Sequence, residues 1–295
     1  MTETKGINPI VSAVFILAIT IVGIGLVMNI GMPAIEEARG NTVFDNSRQN
    51  LQILDNTIEN VRHGGEGTSR TMTLNVDGGE YYINESENTV RFKYDMRTGF
   101  LPPDLCRRDG NILIKTFGDG RTLDLRFNEG EGDETMDCSR YENSGTIHGA
   151  NWTETEYGPG LNFTEDDTVN VTDFRQDLET VSIWFKVDDD WNHSIDDDRL
   201  YSISGENISL GIFDEDISNV VISSFRIYDS LLTDEEIETL ANRGSIREAR
   251  ELDIRLSPEH VNLTNSLRMG TGKHTILVRN SGHEDGKALM EIERI

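Results

Sequence analysis

The sequence predicts an α+β fold: one long N-terminal helix, then mostly antiparallel β-structure. Three observations predict it. No charged side chain occurs between Lys5 and Glu36, and the run Ile10–Met28 is mostly apolar. Beyond Pro33, residues Ile35, Val43, Leu51, Ile53, Leu54, Ile58 and Val61 recur as on one face of a helix, with Glu, Asp, Asn and Arg between them. From Gly67 onward the apolar period falls to two, and Gly, Asn and Asp punctuate the runs.

As a helix, Ile10–Met28 spans roughly 28 Å, enough for the hydrocarbon core of a bilayer. Lys5 lies before the run and Glu36, Glu37 and Arg39 follow it. That asymmetry favours an inside N-terminus and an outside body. A secretory signal has a shorter apolar stretch closed by a small-x-small cleavage site, and no such site closes this one. Pro33 removes a backbone donor and is expected to kink or interrupt the helix. The amphipathic part is expected to reach about Arg62 and to end at His63-Gly64-Gly65.

Composition narrows the function classes. The chain has 295 residues, 53 acidic and 27 basic, for a formal net charge of -26. So acidic a body repels phosphate backbones, and no nucleic-acid partner is expected. Asp188-Asp189-Asp190 and Asp196-Asp197-Asp198 offer oxygens that suit Ca²⁺. They lack the alternating spacing and Gly of a calcium loop, so a solvated surface suited to high salt is the expectation, with no metal and no cofactor. Cys106 and Cys138 are too few for a disulfide framework and lack CxxC spacing; one bridge and two buried thiols both fit. No P-loop, HExxH, GxSxG or dinucleotide-binding Gly turn occurs, the six histidines are scattered, and no catalytic residue is assigned.

The body begins with strands. Thr71–Val76, a turn at Asp77-Gly78-Gly79 and Glu80–Ile83 read as a hairpin, followed by Thr89–Tyr94 and Asn111–Phe117. Near the C-terminus Glu251–Leu256, Lys273–Asn280 and Lys287–Glu293 alternate, with Ser281-Gly282 and Asp285-Gly286 as turns.

Two resemblances extend this reading. Lys5-Gly6 followed by Ile7-Asn8-Pro9-Ile10-Val11 and an unbroken apolar helix resembles the class III signal of archaeal type IV pilins and pilin-like proteins. That resemblance implies cleavage between Gly6 and Ile7, with Lys5 as the recognition residue and residues 1–6 as the leader. The retained helix would rest in the membrane first and pack in a filament core afterwards. Ile10, Val11, Phe15, Ile16, Leu17, Val22, Ile24, Leu26 and Val27 would supply its apolar surface, and Ser12, Ala13, Ala18, Thr20, Gly23 and Gly25 would allow close approach.

The second resemblance covers Leu123–Asn242. Phe127-Asn128-Glu129-Gly130-Glu131-Gly132, Asp137-Cys138-Ser139, Gly145-Thr146-Ile147-His148-Gly149-Ala150-Asn151-Trp152 and Gly158-Pro159-Gly160-Leu161-Asn162-Phe163 follow one another as in the opening of a LamG-like, concanavalin A-like jellyroll domain. Val181–Val187, Ile222–Asp229 and a short helix after Thr233 resemble its centre and close. Thr233 and Glu236 form a capping box there, with Ile237 and Leu240 facing inward. Only 39 residues separate Phe185 from Phe225, so the module is abbreviated relative to the family and no ligand residue carries over. Asp166 and Asp167 read as solvated turn residues.

The expected organisation is a leader (1–6), a stem helix (7–66), a first headpiece part (67–122), an inserted LamG-like module (123–246) and completing strands (247–295). The resemblances imply a non-enzymatic subunit of an archaeal surface filament, major, minor or tip, that displays a lectin-like module for adhesion. Its partners would be copies of itself or related pilins, a prepilin peptidase, an assembly platform, the membrane before assembly, and surface glycans. A non-polymerising, single-pass anchored surface binder is the alternative. Seven N-x-S/T sequons, at Asn84, Asn151, Asn162, Asn170, Asn192, Asn207 and Asn262, suit an exported glycoprotein.

Overall fold

A computed structural model describes residues 9–97, 99–155, 158–187, 200–213, 219–242, 244 and 246–295. It has the α+β arrangement, a long apolar N-terminal helix followed by mostly antiparallel sheets. The chain divides into two compact units. Residues 1–101, 108–114 and 249–295 form the first; 102–107 and 115–248 form the second. Residues 102–107 and 115–122 thus lie in the same unit as the stretch from 123 onward.

Helix α1 (Pro9–Leu26) passes through a π-helical turn, Val27–Gly31, into α2 (Met32–His63). The interruption expected at Pro33 is a change of pitch just before it. The Met32 N–H reaches back to the Val27 carbonyl, five residues away. Pro33 has no N–H to offer, and the widened turn accommodates its ring without ending the helix. The end of α2 falls where the Gly pair predicts, with the Gly64 N–H donating to the Asn60 carbonyl at 3.2 Å.

The strands run in chain order. First come β1 (Ser69–Val76), β2 (Glu80–Asn84), β3 (Thr89–Asp95), β4 (Cys106–Asp109) and β5 (Ile112–Phe117). The second unit adds β6 (Arg121–Leu125), β7 (Glu134–Thr135), β8 (Gly145–His148), β9 (Asn151–Thr155), β10 (Gly158–Phe163) and β11 (Thr168–Val171). It continues with β12 (Thr180–Val187), β13 (Tyr201–Ser204), β14 (Asn207–Gly211), β15 (Val220–Tyr228) and helix α3 (Asp234–Ala241). The chain closes with β16 (Glu251–Leu256), β17 (Val261–Leu263), β18 (Leu267–Met269), β19 (Gly272–Glu284) and β20 (Lys287–Arg294).

In the first unit one sheet has the order β1-β19-β20-β17, and another runs β18-β2-β3-β16 and on to β5 and β4. The hairpin expected between β1 and β2 does not form. β1 pairs antiparallel with β19, from Ser69 opposite Arg279 to Val76 opposite Gly272, while β2 pairs with β3. Two adjacent alternating runs satisfy a hairpin pattern equally well, but the thirteen-residue β19 gives β1 a longer partner. Nor is Ser281-Gly282 a turn. It is a bulge inside β19, where the register shifts between Asn280 and Gly282, and only Asp285-Gly286 turns the chain.

Helix α2 packs on β1, β19, β20 and β16 through Gly40, Val43, Ser47, Leu51, Leu54, Ile58 and Val61. Steps of three and four keep these residues on one stripe. Ile35 and Ile53, expected on that face, are 62% and 45% exposed. Polar ties fix the helix's rotation. Asn50 Nδ2 donates to the Asn75 carbonyl at 3.0 Å, the Tyr81 hydroxyl to the Ser47 carbonyl at 3.3 Å, and Arg48 pairs with Asp109 at 2.7 Å.

The second unit is a sandwich of two antiparallel five-stranded sheets. One has the order β12-β15-β10-β9, with β6 also on β15; the other runs β13-β14-β11-β8-β7. Leu125, Phe163, Phe225 and Ile227 from the first sheet and Ile147, Val169, Ile208 and Leu210 from the second share one buried core. The short interval between Phe185 and Phe225 holds the two strands β13 and β14.

Candidate functional site

The first feature with functional meaning is the bare half of the long helix. From Val11 to Ile35 fifteen large apolar side chains are exposed, from 43% at Val11 to 70% at Ile19. Val11, Phe15, Ile16, Leu17, Val22, Ile24, Leu26 and Val27 are all among them. The helix is long and apolar enough to cross a membrane. Burying one such side chain gains about 1.5–3 kcal/mol. Leaving fifteen in water therefore forfeits more than the 5–15 kcal/mol net stability of a whole domain, which suits a membrane-spanning helix. Lys5, Gly6 and Ile7 lie outside the described residues, as does the Ile10 side chain.

The change from bare to packed helix is sharp and falls at Gly40. Phe100 lies so close that a Cβ at Gly40 would be 2.3 Å from its Cε1. Only glycine lets the ring seat there. The tightness at Gly40 was not legible in the sequence, because its partner is sixty residues away.

In the second unit the quoted motifs are structural. Asp137 is buried, and its carboxylate accepts hydrogen bonds from the Asp124, Ser139 and Asn143 N–H groups and from the Ser139 hydroxyl. Burial raises its pKa in spite of those bonds. Lys115 Nζ caps the same loop by donating to the Asp137 and Ser139 carbonyls at 2.7 and 3.3 Å. Between them Cys138 is bonded to Cys106, the first of the two options that the sequence leaves open. Trp152 Nε1 donates to the Gly132 carbonyl at 2.8 Å, tying two of the motifs together. Asp166 is exposed at a φ of +74°. Asp167 is more than a solvated turn residue. It accepts from the Thr164 N–H and hydroxyl and sits where a Cβ at Gly149 would be 2.1 Å away.

The capping box of α3 is present. Glu236 N–H donates to Thr233 Oγ1, and Thr233 N–H donates to Glu236 Oε2 at 2.9 Å. These bonds, the backbone one foremost, lower the Glu236 pKa. Leu240 faces inward as expected, whereas Ile237 is half exposed, because this eight-residue helix buries a single apolar position.

The charge cluster around Asp124 has no signature in the sequence. That carboxylate is fully buried and bonded by Arg121, Arg126 and Arg226, with Asp119 on the far side of Arg121. Burial alone would raise its pKa; the three guanidiniums outweigh it and hold the group well below the usual carboxylate range. Each arginine is ordinary in sequence. Register alone brings them together, since β15 places Arg226 opposite Asp124 on β6.

The sequons differ in presentation. Asn151 and Asn207 are exposed; Asn84, Asn162, Asn170 and Asn262 are half-buried. Asn84 Oδ1 accepts from the Ser86 hydroxyl and N–H, and Asn170 is engaged with Thr168 and Ser209 on its sheet. Asn192 and the acidic runs at 188–190 and 196–198 lie outside the described residues. Among the described residues no group of three or more His, Cys, Asp or Glu is placed to hold a metal ion.

A family model described as "Family of unknown function (DUF7289)" matches residues 5–99. The match covers both helical segments and β1 to β3, and ends before the second unit begins. No curated protein and no solved structure matches the chain.

Proposed function

We propose that this chain is a non-enzymatic subunit of a type IV pilus-like surface filament, assembled through its N-terminal helix and displaying the second unit. The observation that carries this is the single helix with two environments. Its N-terminal half is apolar and bare; its C-terminal half, from Gly40, is the spine of a β headpiece. That division is what a subunit needs if its stem moves from lipid into a bundle of like stems while the head stays folded. The Lys5-Gly6 edge supports processing before the apolar run, with cleavage between Gly6 and Ile7. The two-sheet sandwich, set into the headpiece and carrying five of the seven sequons, supports a glycosylated, outward module of jellyroll type used in adhesion.

The test is mass spectrometry of the mature N-terminus, followed by imaging of sheared surface filaments. A chain that begins at Ile7 and is present in filaments is the expected result. An intact Met1 in surface material would overturn the reading in favour of a monomeric, anchored surface binder.

A further inference from the structure

The outer face of the β12-β15-β10-β9 sheet carries a cleft of about 240 Å³, lined by Arg126, Trp184, Ser224, Arg226, Asp104 and Leu240 among others. That is below the roughly 300–1,000 Å³ of sites for drug-sized ligands. Three features give it chemistry.

The first is a pair of guanidiniums held in place from behind. Arg126 gives Nε and Nη2 to Asp124 at 2.9 and 2.7 Å, and Arg226 gives its Nε to the same carboxylate at 3.0 Å. Each guanidinium carries five N–H donors, more than these bonds and the one between Arg226 and Tyr228 use, and both side chains line the cleft. The second is Ser224, 9% exposed, whose Oγ has no hydrogen-bond partner among the described residues. A buried, unsatisfied hydroxyl costs about 1–3 kcal/mol, and a ligand atom in the cleft would relieve it. The third is the Trp184 indole, a flat apolar wall beside these polar groups, with Leu240 of α3 as a second apolar surface.

An inorganic anion would use the arginines but gain nothing from the indole. A neutral sugar would stack on the indole but offer the donors that Arg126 and Arg226 do not give to Asp124 only uncharged oxygens in place of a carboxylate. A sugar ring bearing a carboxylate uses both, and Asp104 offers its hydroxyls an acceptor. The chain's net charge of -26 repels anions at long range, so attraction has to come from this local pair. We propose that the cleft binds a hexuronate unit, its carboxylate on Arg126, Arg226 and the Ser224 hydroxyl and its ring on Trp184.

This inference deepens the reading of the second unit as a displayed module, and its test is independent of processing and assembly. A hexuronate-binding chain that keeps Met1 would sink the filament and leave the cleft. The detergent-solubilised full chain is titrated, at fixed ionic strength, with glucuronate, galacturonate, glucose, galactose and acetate. A hexuronate is expected to bind at least tenfold more tightly than its parent hexose and than acetate. Ser224→Ala, which removes a hydroxyl with no partner among the described residues, is expected to weaken binding about three- to tenfold without lowering the melting temperature. Trp184→Ala should abolish the advantage over acetate. Equal binding of hexuronate and hexose, equal binding of hexuronate and acetate, no saturable binding by a folded chain, or indifference to both substitutions would each overturn the proposal.

Discussion

Gly40 shows how one residue decides where the packed part of a helix begins. A larger side chain there meets the Phe100 ring at once, and overpacking of this kind costs about 1–3 kcal/mol. Gly40→Leu is therefore expected to lower the urea midpoint of the first unit, and an unchanged midpoint would show that the ring moves aside freely. Asp124 makes a second residue-scale prediction. Its folded pKa is lowered, so its stabilisation is complete above about pH 4, the ordinary carboxylate value, and is lost as pH falls through the lowered one. The stability difference between the native chain and Asp124→Asn should hold steady from pH 7 to about pH 4 and shrink below. A difference that stays constant down to pH 2 would contradict it. Neither residue stands out in the sequence, because what matters about each is a neighbour far along the chain.

At the scale of elements, the long helix has two separable halves. The buried stripe starts at Gly40, so a chain lacking residues 1–38 should keep the headpiece fold and its melting temperature while losing partition into detergent or lipid. Loss of cooperative melting in that truncated chain would show that the apolar half also supports the head. Much of this element was legible. The apolar run, the amphipathic stripe and the stop at Gly64-Gly65 all follow from local spacing and from the left-handed φ of +80° that Gly65 adopts. The π turn before Pro33 was legible only as an unspecified break, since several backbone solutions satisfy a missing N–H. Strand positions were similarly readable, but their pairing was not. β1 prefers β19 over its neighbour β2, and Ser281-Gly282 bulges within a strand where turn chemistry suggests a corner.

For the whole molecule the dominant quantity is charge. A net charge of -26 on a folded chain is self-repelling, and salt shortens the range of that repulsion from about 10 Å at 0.1 M to about 3 Å at 1 M. The melting temperature should rise as sodium chloride is raised from 0.1 to 2 M; a flat or falling curve would mean that surface repulsion is not what limits stability. The amino-acid sequence by itself determined the two-part helix, the longer strands of the first unit, the acidic character and the order of the sandwich motifs, because periodicity, capping and charge are properties of neighbouring residues. Tertiary structure alone decided which strands pair, that 102–107 and 115–122 join the second unit, that Cys106 bonds Cys138, and that three arginines converge on Asp124. Those are choices among many locally equivalent partners, and they are made by the arrangement that buries the apolar faces and brings Arg121, Arg126 and Arg226 to the buried Asp124 carboxylate.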